Sequence, residues 1–109
     1  MNDTKRTAFI TGAAQGIGRR TAEILLDRGW TVGVYDISDE VGWAEGRKGA
    51  FTGHLDVRDP DEWRDALRSF AEVAEGRIDV IVNNAGVLYG GAFEDAGIDV
   101  DERIIDVNV

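Results

Sequence analysis

The chain has 109 residues, 43% of them hydrophobic and 30% charged, with a formal net charge of −9 and no cysteine. That length suggests one small domain, and the balance of residue types is that of an ordinary globular protein. The acidic excess excludes wrapping of a nucleic-acid backbone, which needs a basic footprint, and the absence of cysteine excludes disulfides and thiolate metal sites. No stretch approaches the roughly 20 apolar residues of a membrane span. The polar start, Met1 to Arg6, has no apolar run of signal-peptide length behind it. No membrane partner and a cytoplasmic location are therefore the expectations.

Thr7 to Thr11 (TAFIT) is a short apolar run that predicts a buried strand, ended by Gly12. From Ile17 to Arg28 the pattern turns helical, with Ile17, Thr21, Ile24 and Leu25 on the expected inner face and Gly29 as the stop. Trp30 to Tyr35 predicts a second strand, with Asp36 standing at its end. Ser38 to Gly49 carries Gly42, Gly46 and Gly49 and is a poor helix at best; Ala50 to Leu55 predicts a third strand.

The next helix has three agreeing start signals: Asp59 at N-cap, Pro60 at N1 and Glu62 at N3. Trp63, Leu67, Phe70, Ala71 and Ala74 fall on one face, while Asp61, Asp65, Arg68, Glu72 and Glu75 fall on the other. Gly76 closes it. Ile78 to Val82 is nearly all apolar, as a parallel strand covered on both faces should be. A glycine-bearing loop follows, and the spacing of Val100, Ile104 and Val107 predicts a last helix. Strands alternating with helices imply an α/β fold with a parallel sheet and right-handed crossovers.

The segment Thr11-Gly12-Ala13-Ala14-Gln15-Gly16-Ile17-Gly18 lies between the first strand and the first helix. Gly12 permits the tight turn out of the strand, Gly16 lets backbone approach a pyrophosphate, and Gly18 lets the helix pack close to the sheet. Backbone amides and the positive end of the helix can then hold phosphates without lysines, so the acidic charge does not exclude a dinucleotide. Asp36 stands 18 positions after Gly18, near the spacing at which an acid accepts hydrogen bonds from an adenosine ribose. A carboxylate there repels a 2′-phosphate, and Gln15 and Ile37 offer no compensating charge, which favours NAD over NADP. Arg19 is the one cation close by in sequence.

The spacing Thr-Gly-x-x-x-Gly-x-Gly resembles the short-chain dehydrogenase/reductase family, and four further stretches match it. Asp36 ends the second strand, and Asp56-Val57 follows the third, where the family places an Asp beside the adenine ring. Asn83-Asn84-Ala85-Gly86 looks like the family's NNAG motif, and Asp106-Val107-Asn108-Val109 resembles the segment that carries a catalytic-site Asn. The resemblance implies a Rossmann-type doubly wound sheet, of which residues 1–109 would be the N-terminal dinucleotide-binding part, about four strands in the order 3-2-1-4. It also implies NAD bound by Gly12, Gln15, Gly16, Ile17, Gly18, Asp36, Asp56, Val57, Asn84, Ala85 and Gly86, with Asn83 bracing the sheet and Asn108 supporting proton relay. The parent activity would be hydride transfer between NAD and a small-molecule alcohol or carbonyl substrate, in a homo-oligomer when full length.

Family catalysis uses a Ser, and a Tyr followed four residues on by a Lys. Here the only tyrosines, Tyr35 and Tyr89, are followed at that spacing by Asp39 and Phe93, and Ser38 and Ser69 lie in a loop and on a helix's outer side. Of the four catalytic groups only Asn108 is present, so the expectation is a partial sequence without the C-terminal catalytic part. The alternative is a non-catalytic dinucleotide-binding module. A phospho-receiver domain, also doubly wound and about this size, would need acids where Gly12-Ala13-Ala14 stand.

Overall fold

The computed structural model describes residues 6–85 and the backbone of residues 103–106. Five parallel strands form one sheet: β1 (Thr7–Thr11), β2 (Thr31–Asp36), β3 (Ala50–His54), β4 (Val80–Asn83) and β5 (Arg103–Asp106). They are ordered β3-β2-β1-β4-β5. Helix α1 (Gly16–Asp27) joins β1 to β2 and α2 (Pro60–Val73) joins β3 to β4, while a single 3-10 turn at Gly42–Ala44 interrupts the glycine-rich stretch. The expected order 3-2-1-4 holds for the first four strands.

Alternation along the strands sends side chains to two cores. Phe9, Tyr35 and Ile81 face α2 and meet Trp63, Leu67 and Phe70. Ala8, Ile10, Val32, Val34 and Val82 face the opposite way, toward α1. The two layers are filled differently. On the α2 side the Phe9 ring stacks on Tyr35 at 4.7 Å between centroids and lies 5.7 Å from Phe70 and 6.1 Å from Trp63, so bulky rings fill the gap. On the α1 side the contacts are small, with Ala13, Ala14 and Ala22 buried.

This explains a correction to the α1 face. The expected inner stripe of Ile17, Thr21, Ile24 and Leu25 is inward only in part: Leu25 packs against the core and Thr21 is half-buried, but Ile17 is 50% exposed and Ile24 37%, while Gly18, Ala22 and Leu26 are buried. Scoring bulk as the inward signal fails where the packing needs small residues. The last helix is a second correction. Residues 103–106 form a strand on β4, not a helix, so β4 is paired on both sides. Ile104 and Ile105 are β-branched and favour the pleated state, and β4 offers a row of ladder partners.

The β1–β4 pair is pinned at both ends by a threonine hydroxyl that donates once and accepts once. At the lower end Thr7 Oγ1 donates to Arg77 O (2.8 Å) and accepts from Asp79 N–H (3.0 Å). Asp79 in turn accepts from Thr7 N–H (2.9 Å) and Arg77 Nε (2.7 Å). At the upper end Thr11 Oγ1 donates to Asn83 Oδ1 (2.9 Å) and accepts from Ala85 N–H (3.3 Å). That upper clamp sets the position of the candidate site.

Candidate functional site

The loop after β1 turns through Gly12, whose φ of +65° is one that side-chain-bearing residues seldom adopt. α1 then begins so close to the turn that a Cβ on Gly18 would stand 2.2 Å from the Gly12 carbonyl oxygen and 3.0 Å from Asn84 Nδ2. A side chain of any size at position 18 would push α1 off the turn. Asn84 Nδ2 donates to Gly12 O at 3.1 Å, locking the β4 exit against the β1 exit. The backbone next to it is held from the other side: Ala13 N–H donates to Tyr35 O at 3.1 Å, and Ala14 N–H donates to Asp36 Oδ2 at 3.0 Å.

The two helices begin differently, and the difference bears on function. α2 is closed by its own acid, Asp59, which accepts from Asp61 N–H and Glu62 N–H, with Asp61 and Glu62 adding negative charge to the first turn. At the start of α1, Gln15 makes no side-chain cap bond and the first turn has no acidic residue. Gln15, Gly16 and Ile17 are exposed. The positive end of α1 thus has no side-chain acceptor of its own, the condition under which helix N-termini receive anions.

Beside this end lies a cavity of about 400 Å³ that gathers Gly12, Asp36, Asp56, Val57 and Ala85 from four separate segments of the chain. Five of the residues expected at the site are therefore brought to one place. Ile37, Leu55 and Arg58 complete its wall. Asp36 is fixed there by Ala14 N–H on one oxygen and Ser38 N–H on the other at 2.9 Å. A carboxylate offers about four lone-pair positions, so each oxygen keeps one for an incoming donor pair such as a vicinal diol.

Arg58 was not singled out in the sequence, although it stands two residues after Asp56. Its Nε and Nη2 donate to the two Asp56 oxygens at 2.9 and 2.8 Å, and its backbone N–H adds a third bond at 3.0 Å. The Arg58 side-chain hydrogen bond, followed by the backbone one, holds the Asp56 carboxyl at about 2 rather than 3.8. Asp56 is thus ionised and Arg58 is occupied by it. Arg19, the other nearby cation, lies over the Trp43 ring at 5.1 Å and 3.3 Å from Glu23 Oε2.

Asn83 is fully buried, with its Oδ1 on Thr11, the bracing position expected of it. Among the described residues its Nδ2 and the Oδ1 of Asn84 have no hydrogen-bond partner. Gly86 and Asn108 lie outside the described residues. The 3-10 turn was also missed as a contributor: Trp43 Nε1 donates to Ala13 O at 3.1 Å. Among the described residues no group of His, Asp and Glu could hold a metal ion, and no helix is long and apolar enough to cross a membrane.

Residues 6–109 match the family model for short chain dehydrogenase. The chain is 34% identical over 117 residues to trans-4-hydroxycyclohexanecarboxylate dehydrogenase of Sinomonas cyclohexanicum, covering 96% of this chain and 45% of that protein. It is 40% identical over 111 residues to the oxidoreductase UcpA of Escherichia coli K12, covering 97% of this chain and 42% of that one. Among solved structures, an apo SCOR enzyme from Clostridium thermocellum superposes with a TM-score of 0.69 at 28% identity, over 84% of this chain and 43% of that one. Menthone neomenthol reductase from Mentha piperita gives 0.62 at 32% identity, over 77% and 32%. The chain spans less than half the length of the curated relatives it matches.

Proposed function

The chain belongs to the short-chain dehydrogenase family, and from that premise we propose that it forms the NAD-holding part of an oxidoreductase acting on an alcohol or carbonyl substrate. The observation that carries this reading is the cavity where Gly12, Asp36, Asp56, Val57 and Ala85 meet beside the open end of α1. Gln15, Gly16 and Ile17, at the exposed start of α1, would hold the NAD pyrophosphate, and Gly12 and Gly18 would supply the close backbone approach. Asp36 accepts from the adenosine ribose hydroxyls through the lone pairs its two backbone bonds leave free. Asp56 and Val57 flank the adenine, with Ile37 and Leu55 as apolar wall. Asn84 and Ala85 would line the path toward the nicotinamide, and the family resemblance assigns Gly86 to the same path and Asn108 to proton relay.

The fit to NAD rests on the crowding at Gly18, which is useful only if α1 must reach the turn, and on the charge of the cavity. Asp36 and Asp56 are both carboxylates there, and the one cation in the wall among the described residues, Arg58, is bonded to Asp56. A ribose 2′-phosphate would meet a fixed carboxylate, which favours NAD over NADP. When bound, NAD supplies the hydride acceptor or donor; this chain's own residues hold and orient it.

Residues 1–109 contain no Tyr-x-x-x-Lys. This favours a second statement for these residues taken by themselves: they hold a dinucleotide weakly and turn nothing over. Both halves are tested on the purified chain. Calorimetry should give NAD affinity weaker than micromolar and lost in Asp36→Ala, and an absorbance assay with NAD and secondary alcohols should give no turnover. NAD-dependent turnover from pure chain would contradict the second statement, and unchanged binding in Asp36→Ala would remove that residue from its role.

A further inference from the structure

The Ala13 peptide is held on both sides, by Tyr35 O on its N–H and by Trp43 Nε1–H on its carbonyl. Trp43 comes from the 3-10 turn Gly42–Ala44, outside every motif that marks the site. It is anchored there because Val41 and Ala44 on either side are buried in the α1-side core. The indole is also fixed through its faces. The Arg19 guanidinium lies over the ring at 5.1 Å and that of Arg47 at 6.0 Å. Arg19 belongs to α1 and pairs there with Glu23 at 3.3 Å, and Arg47 is tethered to the far end of α1 by Asp27 at 2.8 Å. One side chain thus joins the 3-10 turn, both ends of α1 and the peptide between the first two glycine-loop turns.

We infer that Trp43 is a positioning residue that fixes the shape of the Gly12–Gly18 loop and, through it, the affinity for the dinucleotide; the second half rests on the cofactor reading above. The physical argument is one of preorganisation. Between Gly12 and Gly16 the loop has two residues of positive φ and no regular ladder to hold it, so its order depends on its few tethers. Without the indole donor, the Ala13 carbonyl has lost that tether and the loop must be ordered when ligand arrives, which lowers affinity.

The test uses the 15N-labelled 109-residue chain, wild type and Trp43→Phe, the latter keeping a ring for Arg19 and removing the donor. Hydrogen exchange at the Ala13 and Ala14 amides should quicken about three- to tenfold, the factor expected for one neutral hydrogen bond. The Asp79 and Val82 amides at the β1–β4 pair should not change. NAD affinity should weaken by a similar factor. In the wild type, the Trp43 indole N–H should be protected from exchange and should move with NAD at the concentrations that move Gly16. This holds the inference open to test even if Trp43→Phe does not fold. Unchanged exchange at Ala13 and Ala14, or quickening shared equally by Asp79 and Val82, would overturn it, as would an unprotected indole N–H. Wild-type chain that takes up no NAD, while the loop still loosens in Trp43→Phe, would sink the cofactor reading and leave the latch standing.

Discussion

Replacing Gly18 by alanine sets two physical effects against each other, and their sizes predict the sign. Position 18 lies inside α1, where propensity alone makes Gly→Ala stabilising by about 1 kcal/mol. The new methyl, however, would lie 2.2 Å from Gly12 O and 2.9 Å from Gly12 C, well inside the roughly 3.5–4.0 Å of good nonbonded contact. The obstacle is backbone, which cannot swing aside as a side-chain tip can. Overpacking of this kind costs about 1–3 kcal/mol, and moving Gly12 also strains the bond from Asn84, worth about 0.5–1.5 kcal/mol. The net is a loss of about 0.5–3.5 kcal/mol, and in a domain of this size each kcal/mol lowers Tm by about 4–8 °C.

Thermal unfolding followed by circular dichroism measures this directly, and Gly16→Ala is the control. Gly16 also has a positive φ, +65°, but nothing lies within 4 Å of an added Cβ. Its cost is only the left-handed backbone penalty of about 1–2 kcal/mol, with no neighbour displaced. Gly18→Ala should therefore shift the Gly12 and Asn84 amide resonances, and Gly16→Ala should leave Asn84 in place. A Tm that rises in Gly18→Ala would mean that propensity wins and that α1 does not press on the turn.

Asp79→Ala should destabilise the chain by about 1–3 kcal/mol, the cost of leaving a buried donor unsatisfied, because Thr7 N–H loses its acceptor; a urea midpoint equal to wild type would refute the lower clamp. Asp56 titrates at about 2 in the folded chain against an ordinary 3.8. Its contribution is therefore full above about 3.8 and is lost as pH falls from there toward 2. Arg58→Ala should return the Asp56 carboxyl toward the ordinary value in a 13C titration, and a midpoint still near 2 would assign the low value to another cause. Trp63→Phe should cost about 0.5–1.5 kcal/mol for the hydrogen bond alone, since Trp63 Nε1 donates to Val57 O at 2.8 Å. An unchanged Val57 resonance in that variant would show the bond to be unimportant to the cavity wall.

Much of the fold was legible because its signals are local. The three-part start at Asp59, Pro60 and Glu62 places α2 at Pro60–Val73, and the apolar run Thr7 to Thr11 is β1 residue for residue. The α1 face was misjudged in part because two of its three buried residues, Gly18 and Ala22, are small, and periodicity weights bulk. Residues 103–106 were misjudged because the spacing of Val100, Ile104 and Val107 suits a helix while the waiting edge of β4 is a tertiary fact. At the candidate site the glycines and Asp36 carry recognisable spacing. Arg58 and Trp43 do not, since their roles depend on an ion pair and on a hydrogen bond to a residue 30 positions away. Nothing in the residues around Trp43 announces the Ala13 carbonyl as its partner.

The most direct test of the central claim is a parallel NMR titration of the 15N-labelled chain with NAD and with NADP. At about millimolar ligand, where binding is worth only about 4 kcal/mol, NAD should move the amides of the Gly12–Gly18 loop together with Asp36, Ile37 and Val57. NADP should move them less, and Asp36→Ala should erase the difference. Loop amides unmoved by either dinucleotide, or moved equally by both in the wild type, would contradict the account.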